Sequence, residues 1–404
     1  LVGERVEVVM VGGVLEAVRE DVEDEVARGG KHLRQAYGFD DVAIVPGDVT
    51  LDPIEADCSW QLGQHTLAHP IMASAMDAVV DPGFAVRFGR LGGLPVLNLE
   101  GLQTRYDDPR EALDRIARAS AEEVTDLLQR LYQAPLREEL VGQRIERIKA
   151  EGVIAATSAT PANAERLGPL AAEAGVDVFV VQSTVTTARY RSVSGAQLSF
   201  SRFCREMPTP VVVGNCVSFQ AATELMETGI DGLLVGVGPG AACTSREVLG
   251  IGVPQITATM DCAAARDAFL RETGRYVPII TDGGMRTGGD VCKAVAAGAD
   301  AVMLGSPLAQ CEEAPGGGHH WGMATPHGAL PRGTRIRVGV RSTLERTLFG
   351  PTSRTDGTEN LIGALKTCMG VCGASNLREM QQADLVVAPA IKTEGKLWQL
   401  SGAR

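Results

Sequence analysis

Short apolar runs of four to six residues recur along the chain, each closed by Gly, Ser or another polar residue: "GVIAATSA" (152–159), "VDVFVVQS" (176–183), "PVVVGNCV" (210–217), "DGLLVGVG" (231–238), "VPIITDGG" (277–284) and "DAVMLGS" (300–306). Continuous rather than alternating apolar character marks strands buried on both faces, as in a parallel sheet. "PIMASAMD" (70–77) and "GGLPVLN" (92–98) have the same form and bring the number to eight. Between several of them lie stretches of helical spacing, such as "SFQAATELMETG" and "TGGDVCKAVAAG", that end in a glycine suited to a left-handed C-cap. "AGVD", "TGID" and "AGAD" each stand immediately before a strand. Eight strands alternating with helices predict an α/β chain folded as a (β/α)8 TIM barrel, in preference to an open doubly wound sheet.

A barrel of this kind gathers its chemistry at the C-terminal ends of the strands. The polar residues there are Ser74, Asp77, Asn98, Ser158, Gln182, Asn215, Asp282 and Ser306, and all are predicted to converge on one mouth. Two long segments interrupt the pattern. One is a charged, helical stretch from about 105 to 150; the other is the Gly/Pro-rich "CEEAPGGGHHWGMATPHGALPRG" (311–333), a candidate active-site loop. Residues 1–30, with "LEAVREDVEDEVARGG", read as an acidic amphipathic helical extension with a solvated face. Residues 31–404 then form a single barrel domain with long loop insertions.

Composition narrows the partners. Hydrophobic residues at 45% and charged residues at 22% are ordinary for a folded globular chain. A formal charge of −12 argues against nucleic acid, whose binding relies on Lys and Arg neutralising phosphates. A small phosphorylated ligand stays compatible, because backbone N–H groups can cradle a phosphate within an acidic protein. No apolar run reaches the roughly 18–20 residues that span a bilayer. The acids of the first thirty residues are unlike a signal peptide, so a cytoplasmic location is expected. The nine cysteines are scattered and none forms a C-x-x-C pair, which reads as reduced thiols.

Three stretches carry candidate chemistry. "TDGGMRTGGD" (281–290) and "MLGSP" (303–307) follow the seventh and eighth strands, the usual phosphate cradle of this barrel, although either could be a plain tight turn. Asp282 is placed to accept hydrogen bonds from two ribose hydroxyls, or to complement the following helix as an N-terminal charge. "GVGPGAACTSR" (236–246) presents Cys243 in a glycine-permitted turn at the mouth, beside Arg246. A thiol there can serve as a nucleophile or be a turn residue without consequence. Thr244 and Ser245 relay protons or cap the helix that begins near Arg246.

These stretches, together with "GNCVSFQAATELMETGIDGLLVGVGPGAACTSR" and "GALKTCMGVCGA", resemble the IMP dehydrogenase/GMP reductase family from about residue 38 to 380. The chain is most similar to the short related proteins that lack the regulatory CBS pair. The resemblance implies a homotetramer or larger assembly and a purine mononucleotide, GMP or IMP, attacked at C2 by Cys243. It assigns the ribose to Asp282 and the phosphate to Gly284, Gly305 and Ser306. Ser74, Met76 and Asn215 match nucleotide-contacting positions, and Gly322 and Met323 match a purine-binding turn. Backbone carbonyls of Gly238, Gly240 and Cys243 match a monovalent-cation (K+) site. Two departures stand out: Ala241 replaces a phosphate-contacting serine, and Gln182 replaces the acidic residue that dehydrogenases carry after the fourth strand.

The family's two activities diverge after the shared adduct. A dehydrogenase must activate water, for which its relatives use an Arg-Tyr pair on a flap after the Gly-Met turn. Here "ATPHGALPR" (324–332) contains no such pair. GMP reductase with NADPH is therefore the favoured expectation, with IMP dehydrogenase and NAD as the alternative. The reductase's glutamate position is Arg332 here, so Glu312, Glu313 and Glu359 become candidate proton donors, and His319, His320 and His327 crowd the same loop. An FMN-dependent barrel enzyme and a nucleotide-binding relative without turnover are further alternatives.

Overall fold

The computed structural model describes residues 33–190, 198–322 and 334–389. The helix expected over residues 1–30 lies outside them, and the barrel belongs to the unit that begins at Tyr37. Eight parallel strands close on themselves: β1 Ile71–Ala73, β2 Leu94–Asn98, β3 Ala156–Ala159, β4 Val178–Gln182, β5 Val211–Cys216, β6 Gly232–Val235, β7 Ile279–Asp282 and β8 Ala301–Leu304. They pair in chain order, and β8 closes the ring on β1 with Val302 opposite Ile71. All eight predicted runs form the barrel. Their side chains from Ile71, Leu94, Val178, Val212, Leu233 and Ile279 are fully buried, as strands covered on both faces require.

Helices return the chain between strands: α1 Pro82–Arg90, α2 Arg110–Arg118, α3 Val124–Tyr132, α4 Glu138–Lys149, α5 Pro161–Glu173, α6 Phe200–Glu206, α7 Phe219–Glu227, α8 Gln255–Thr273 and α9 Gly288–Ala296, with α10 Leu361–Val371 after β8. The repeated Gly-x-Asp tripeptides have a common use at the barrel's base. Gly175, Gly229 and Gly298 take left-handed φ values of 78°, 97° and 111°, ending α5, α7 and α9. Two residues on, Asp177, Asp231 and Asp300 accept the backbone N–H of Ala155, Val211 and Ile279, at the start of the preceding strand. Each even strand from β4 onward is thereby tied to its neighbour.

The charged stretch from 105 to 150 is helical, as its spacing predicts. Leu113 and Ile116 of α2 and Val124, Leu127, Leu128 and Leu131 of α3 bury a separate small core, which receives Trp321 from the loop after β8. The Trp321 indole N–H donates to the Tyr132 hydroxyl at 2.8 Å, and that hydroxyl donates to Asp77 Oδ2. Asp77 Oδ2 also accepts the N–H of Leu102 at 2.8 Å. Asp77 therefore does not join the mouth as predicted. β1 ends at Ala73, and by residue 77 the chain has turned into the insertion's core. Tyr132→Phe leaves the buried indole N–H unpaired, and a cost of about 1–3 kcal/mol is expected. Urea unfolding checks this; an unshifted midpoint would contradict it.

Candidate active site

The C-terminal ends of the strands open into a cavity of about 1020 Å3. Ser74, Asn98, Ser158, Gln182, Asn215, Asp282 and Ser306 line it. So do Met76, Gly284, Gly305 and Gly322 and the turn residues Gly238, Gly240, Cys243, Thr244 and Ser245. Apart from Met323, which lies outside the described residues, every residue that the resemblance assigns to the site faces this one space.

Cys243 sits in a turn closed by its own N–H donating to Gly240 O at 3.0 Å. The turn packs on the glycine pair that follows β7. Gly283 and Gly284 have φ of 86° and 84°, and a Cβ on Gly284 would come within 3.1 Å of Pro239 Cβ. The glycines thus bring the Cys243 turn and the turn expected to take a phosphate into contact. The thiol donates to Ser245 Oγ at 3.3 Å, and Ser245 is buried. Thr244 is the N-cap of the short helix Ser245–Leu249 but makes no side-chain cap bond. Ser245 Oγ is thus the thiol's acceptor, and Thr244 does not cap the helix.

Arg246 folds over the turn. It donates to Val253 O at 3.2 Å, and a Cβ on Gly238 would lie 2.9 Å from its Nε. The Arg246 side chain therefore packs against Gly238 at the start of the turn, and the Gly240 carbonyl accepts the Cys243 N–H within it. Among the described residues no group of His, Cys, Asp or Glu is gathered for a metal ion.

Asp282, at the end of β7, is held by two amides: Gln182 Nε2 at 2.9 Å and Asn215 Nδ2 at 2.8 Å, both to Oδ2. Burial pushes its carboxyl up to about 6, partly offset by these hydrogen bonds. Its backbone carbonyl accepts Gln255 Nε2 at 3.0 Å, and the same amide donates to Val235 O at 2.7 Å, fixing β6 to β7 at the mouth. Gln182 and Gln255 thus support Asp282. Nothing in the motif reading singled out Gln255, which lies well beyond the cysteine turn.

Glu312, Glu313 and Glu359 do not line the cavity. Glu313 accepts the N–H of Leu344, and Glu359 lies between Arg346 and Arg354. The glutamate that does line it is Glu100, two residues beyond β2, held by the backbone and hydroxyl of Thr160 and by Asn163. In the ring of strands, β2 and β3 stand across from β6 and β7, so Glu100 and Thr160 face Cys243 and Asp282 over the mouth. His320 lines the cavity, and its Nε2 lies 2.9 Å from Ser306 Oγ. His319 is not part of the lining, and His327 lies outside the described residues.

The model of the IMP dehydrogenase / GMP reductase domain matches residues 36–322. The chain belongs to this family. It is 41% identical over 367 residues to an uncharacterized oxidoreductase of Mycolicibacterium smegmatis, a match covering 89% of this chain and 98% of that protein. An inosine-5′-monophosphate dehydrogenase of Cryptosporidium parvum is 29% identical, with 87% and 92% covered. The crystal structure of an IMP dehydrogenase/GMP reductase-like protein from Corynebacterium glutamicum superposes with a TM-score of 0.84 at 36% identity, covering 89% of this chain and 96% of that one. Membership makes the chain an oxidoreductase of a family that acts on purine nucleotides with a nicotinamide-type cofactor. No described helix is long and apolar enough to cross a membrane.

Proposed function

We propose that the chain is a purine 5′-mononucleotide oxidoreductase that works at C2 through a covalent bond to Cys243. The observation carrying this is one cavity that holds the Cys243–Ser245 pair, the amide-clamped Asp282 and the glycine turns after β7 and β8. Asp282 holds the ribose, and the turns at Gly284 and Gly305–Ser306 take the phosphate. A Cβ on Gly305 would meet Met76 Sδ at 3.2 Å and Ser74 Oγ at 3.5 Å, so β1's end closes the same face. A bound nicotinamide supplies or receives hydride at C2. The cavity's remaining polar wall, Glu100, Asn98, Thr160 and Asn163, leaves room and hydrogen-bonding groups for it.

The chain's own residues favour the reductase direction, from GMP to IMP with NADPH. Sulfur 243 bonds to C2, the thiol proton passes by way of Ser245 toward the departing amine, and ammonia leaves; hydride added at C2 then breaks the C–S bond, releasing IMP, and the Cys243 thiolate takes up a proton from solvent. No water needs activating, in keeping with the missing Arg-Tyr pair between residues 324 and 332. The name of the Cryptosporidium parvum relative favours a second reading, oxidation of IMP to XMP with NAD. A paired absorbance assay separates them: loss of the reduced-cofactor band with GMP and NADPH, against its growth with IMP and NAD. XMP formed at a comparable rate would overturn the reductase direction, and no change in either arm would overturn turnover itself.

A further inference from the structure

Two arginines, Arg246 and Arg286, line the cavity near the glycine turns, and each already has partners. Arg246 gives one N–H to Val253 O, and Arg286 is paired with Asp40 at 2.8 Å and Asp290 at 3.5 Å. Ala241 removes a hydroxyl that the family usually offers. An anion on the turn after β8 meets the Ser306 hydroxyl there as a side-chain donor. A serine hydroxyl has one proton. It serves an anion only if that proton is not already given elsewhere.

Among the described residues, His320 Nε2 lies 2.9 Å from Ser306 Oγ in the cavity wall. His320 is 2% exposed, and its Nδ1 is buried with no hydrogen-bond partner. Burial holds the imidazole far below its ordinary range, at about 4, so the ring is neutral and carries one N–H. An anion offers only acceptors. With an anion on Ser306 the hydroxyl proton points to it, and Nε2 must then be the donor to Ser306 Oγ. The backbone that carries the ring is fixed on both sides. His319–His320 pairs with Ile336–Arg337, and the adjacent Trp321 is anchored in the α2–α3 core.

We propose that His320 is a positioning residue for the substrate's anionic group: its Nε2–H donates to Ser306 Oγ and thereby turns the serine hydroxyl into a donor for the 5′-phosphate. This rests on the reading of the cavity as a mononucleotide site. The result is a two-step donor chain, His320 to Ser306 to phosphate, in which each bond polarises the next. It also assigns the helical insertion a part in binding, since α2 and α3 hold the Trp321 anchor.

The test compares nucleotides with nucleosides. His320→Phe removes the N–H, and His320→Gln restores an amide donor. With GMP and IMP as probes, His320→Phe is expected to weaken binding and raise KM about tenfold while kcat moves less than about threefold. Binding of guanosine and inosine changes less than about twofold, and His320→Gln recovers most of the loss. Because His320 acts through Ser306, the double variant His320→Phe/Ser306→Ala is expected to be no weaker than Ser306→Ala alone. Nitrogen-labelled histidine spectra of the nucleotide-bound wild type give a second readout that needs no folded variant, and the Nε2–H tautomer is expected there. Unchanged nucleotide affinity, equal loss for nucleosides, additive losses in the double variant, or the Nδ1–H tautomer would each overturn the inference. Failure of the wild type to bind either nucleotide would instead overturn the mononucleotide reading on which it rests.

Discussion

Cys243→Ala is expected to lower turnover by about 10⁴-fold or more while nucleotide affinity stays within about threefold, because in the proposed mechanism the thiol forms the bond to C2 and contributes little to holding ribose or phosphate. Alkylation makes the same point on the wild type. Burial pushes the Cys58 thiol up to about 11 and those of Cys204 and Cys311 up to about 12. Hydrogen bonds to Cys216 and Cys368, together with burial, raise Cys262 and Cys292 well above the usual range. Those sulfurs are poor nucleophiles near neutral pH. Iodoacetamide is therefore expected to label Cys243, and saturating nucleotide to protect that site, while Cys368, whose thiol is held low by its neighbours, labels equally with and without nucleotide. Peptide mapping by mass spectrometry reads both. Full activity in Cys243→Ala would end the covalent mechanism.

The strands were legible because a strand buried on both faces has to be apolar throughout, and each of the eight runs meets that condition without help from the rest of the chain. Their polar ends were legible for the same reason: the apolar run stops where the mouth begins. Asp77 shows the limit of that reasoning. The run "PIMASAMD" continues beyond the last paired residue, Ala73, and a chain that turns at Ser74–Met76 carries its next polar residue into a different core. Periodicity shows where an element stops; it does not show the direction of the turn. Contacts between distant loops were likewise hidden. Trp321 and Tyr132 stand 189 residues apart and share no motif, yet their hydrogen bond joins the insertion to the active-site loop. Glu100 was missed because a lone acid after an apolar run has no spacing partner in sequence. Its partners, Thr160 and Asn163, belong to the next strand's loop and helix. The Gly-x-Asp repeats were visible, but that each aspartate binds the preceding strand could be learned only from the closed barrel.

The second large effect concerns Asp282, whose carboxyl is pushed up to about 6 by burial against the pull of Asn215 and Gln182. Only the ionised form accepts hydrogen bonds from both ribose hydroxyls, so kcat/KM for the nucleotide is expected to fall about tenfold per pH unit below pH ~6 and to level off above it. Asp282→Asn should lower kcat/KM by about 10²-fold and abolish that acid limb, since its side chain no longer titrates. Stability moves the other way. The ordinary carboxyl value is 3.8, so between about pH 4 and 6 the folded state binds more protons than the unfolded one, and stability declines as pH rises through that window. Above pH 6 the wild type bears the full cost of a desolvated charge, and Asp282→Asn removes it. The variant is therefore expected to be nearly inactive yet to melt at a higher temperature than the wild type at pH 7, with the gap closing toward pH 4. An acid limb that persists near pH 6 in Asp282→Asn would assign the titration to another group, and a variant less stable than the wild type at pH 7 would show that the carboxylate contributes to folding rather than being held for the ribose at a cost to it.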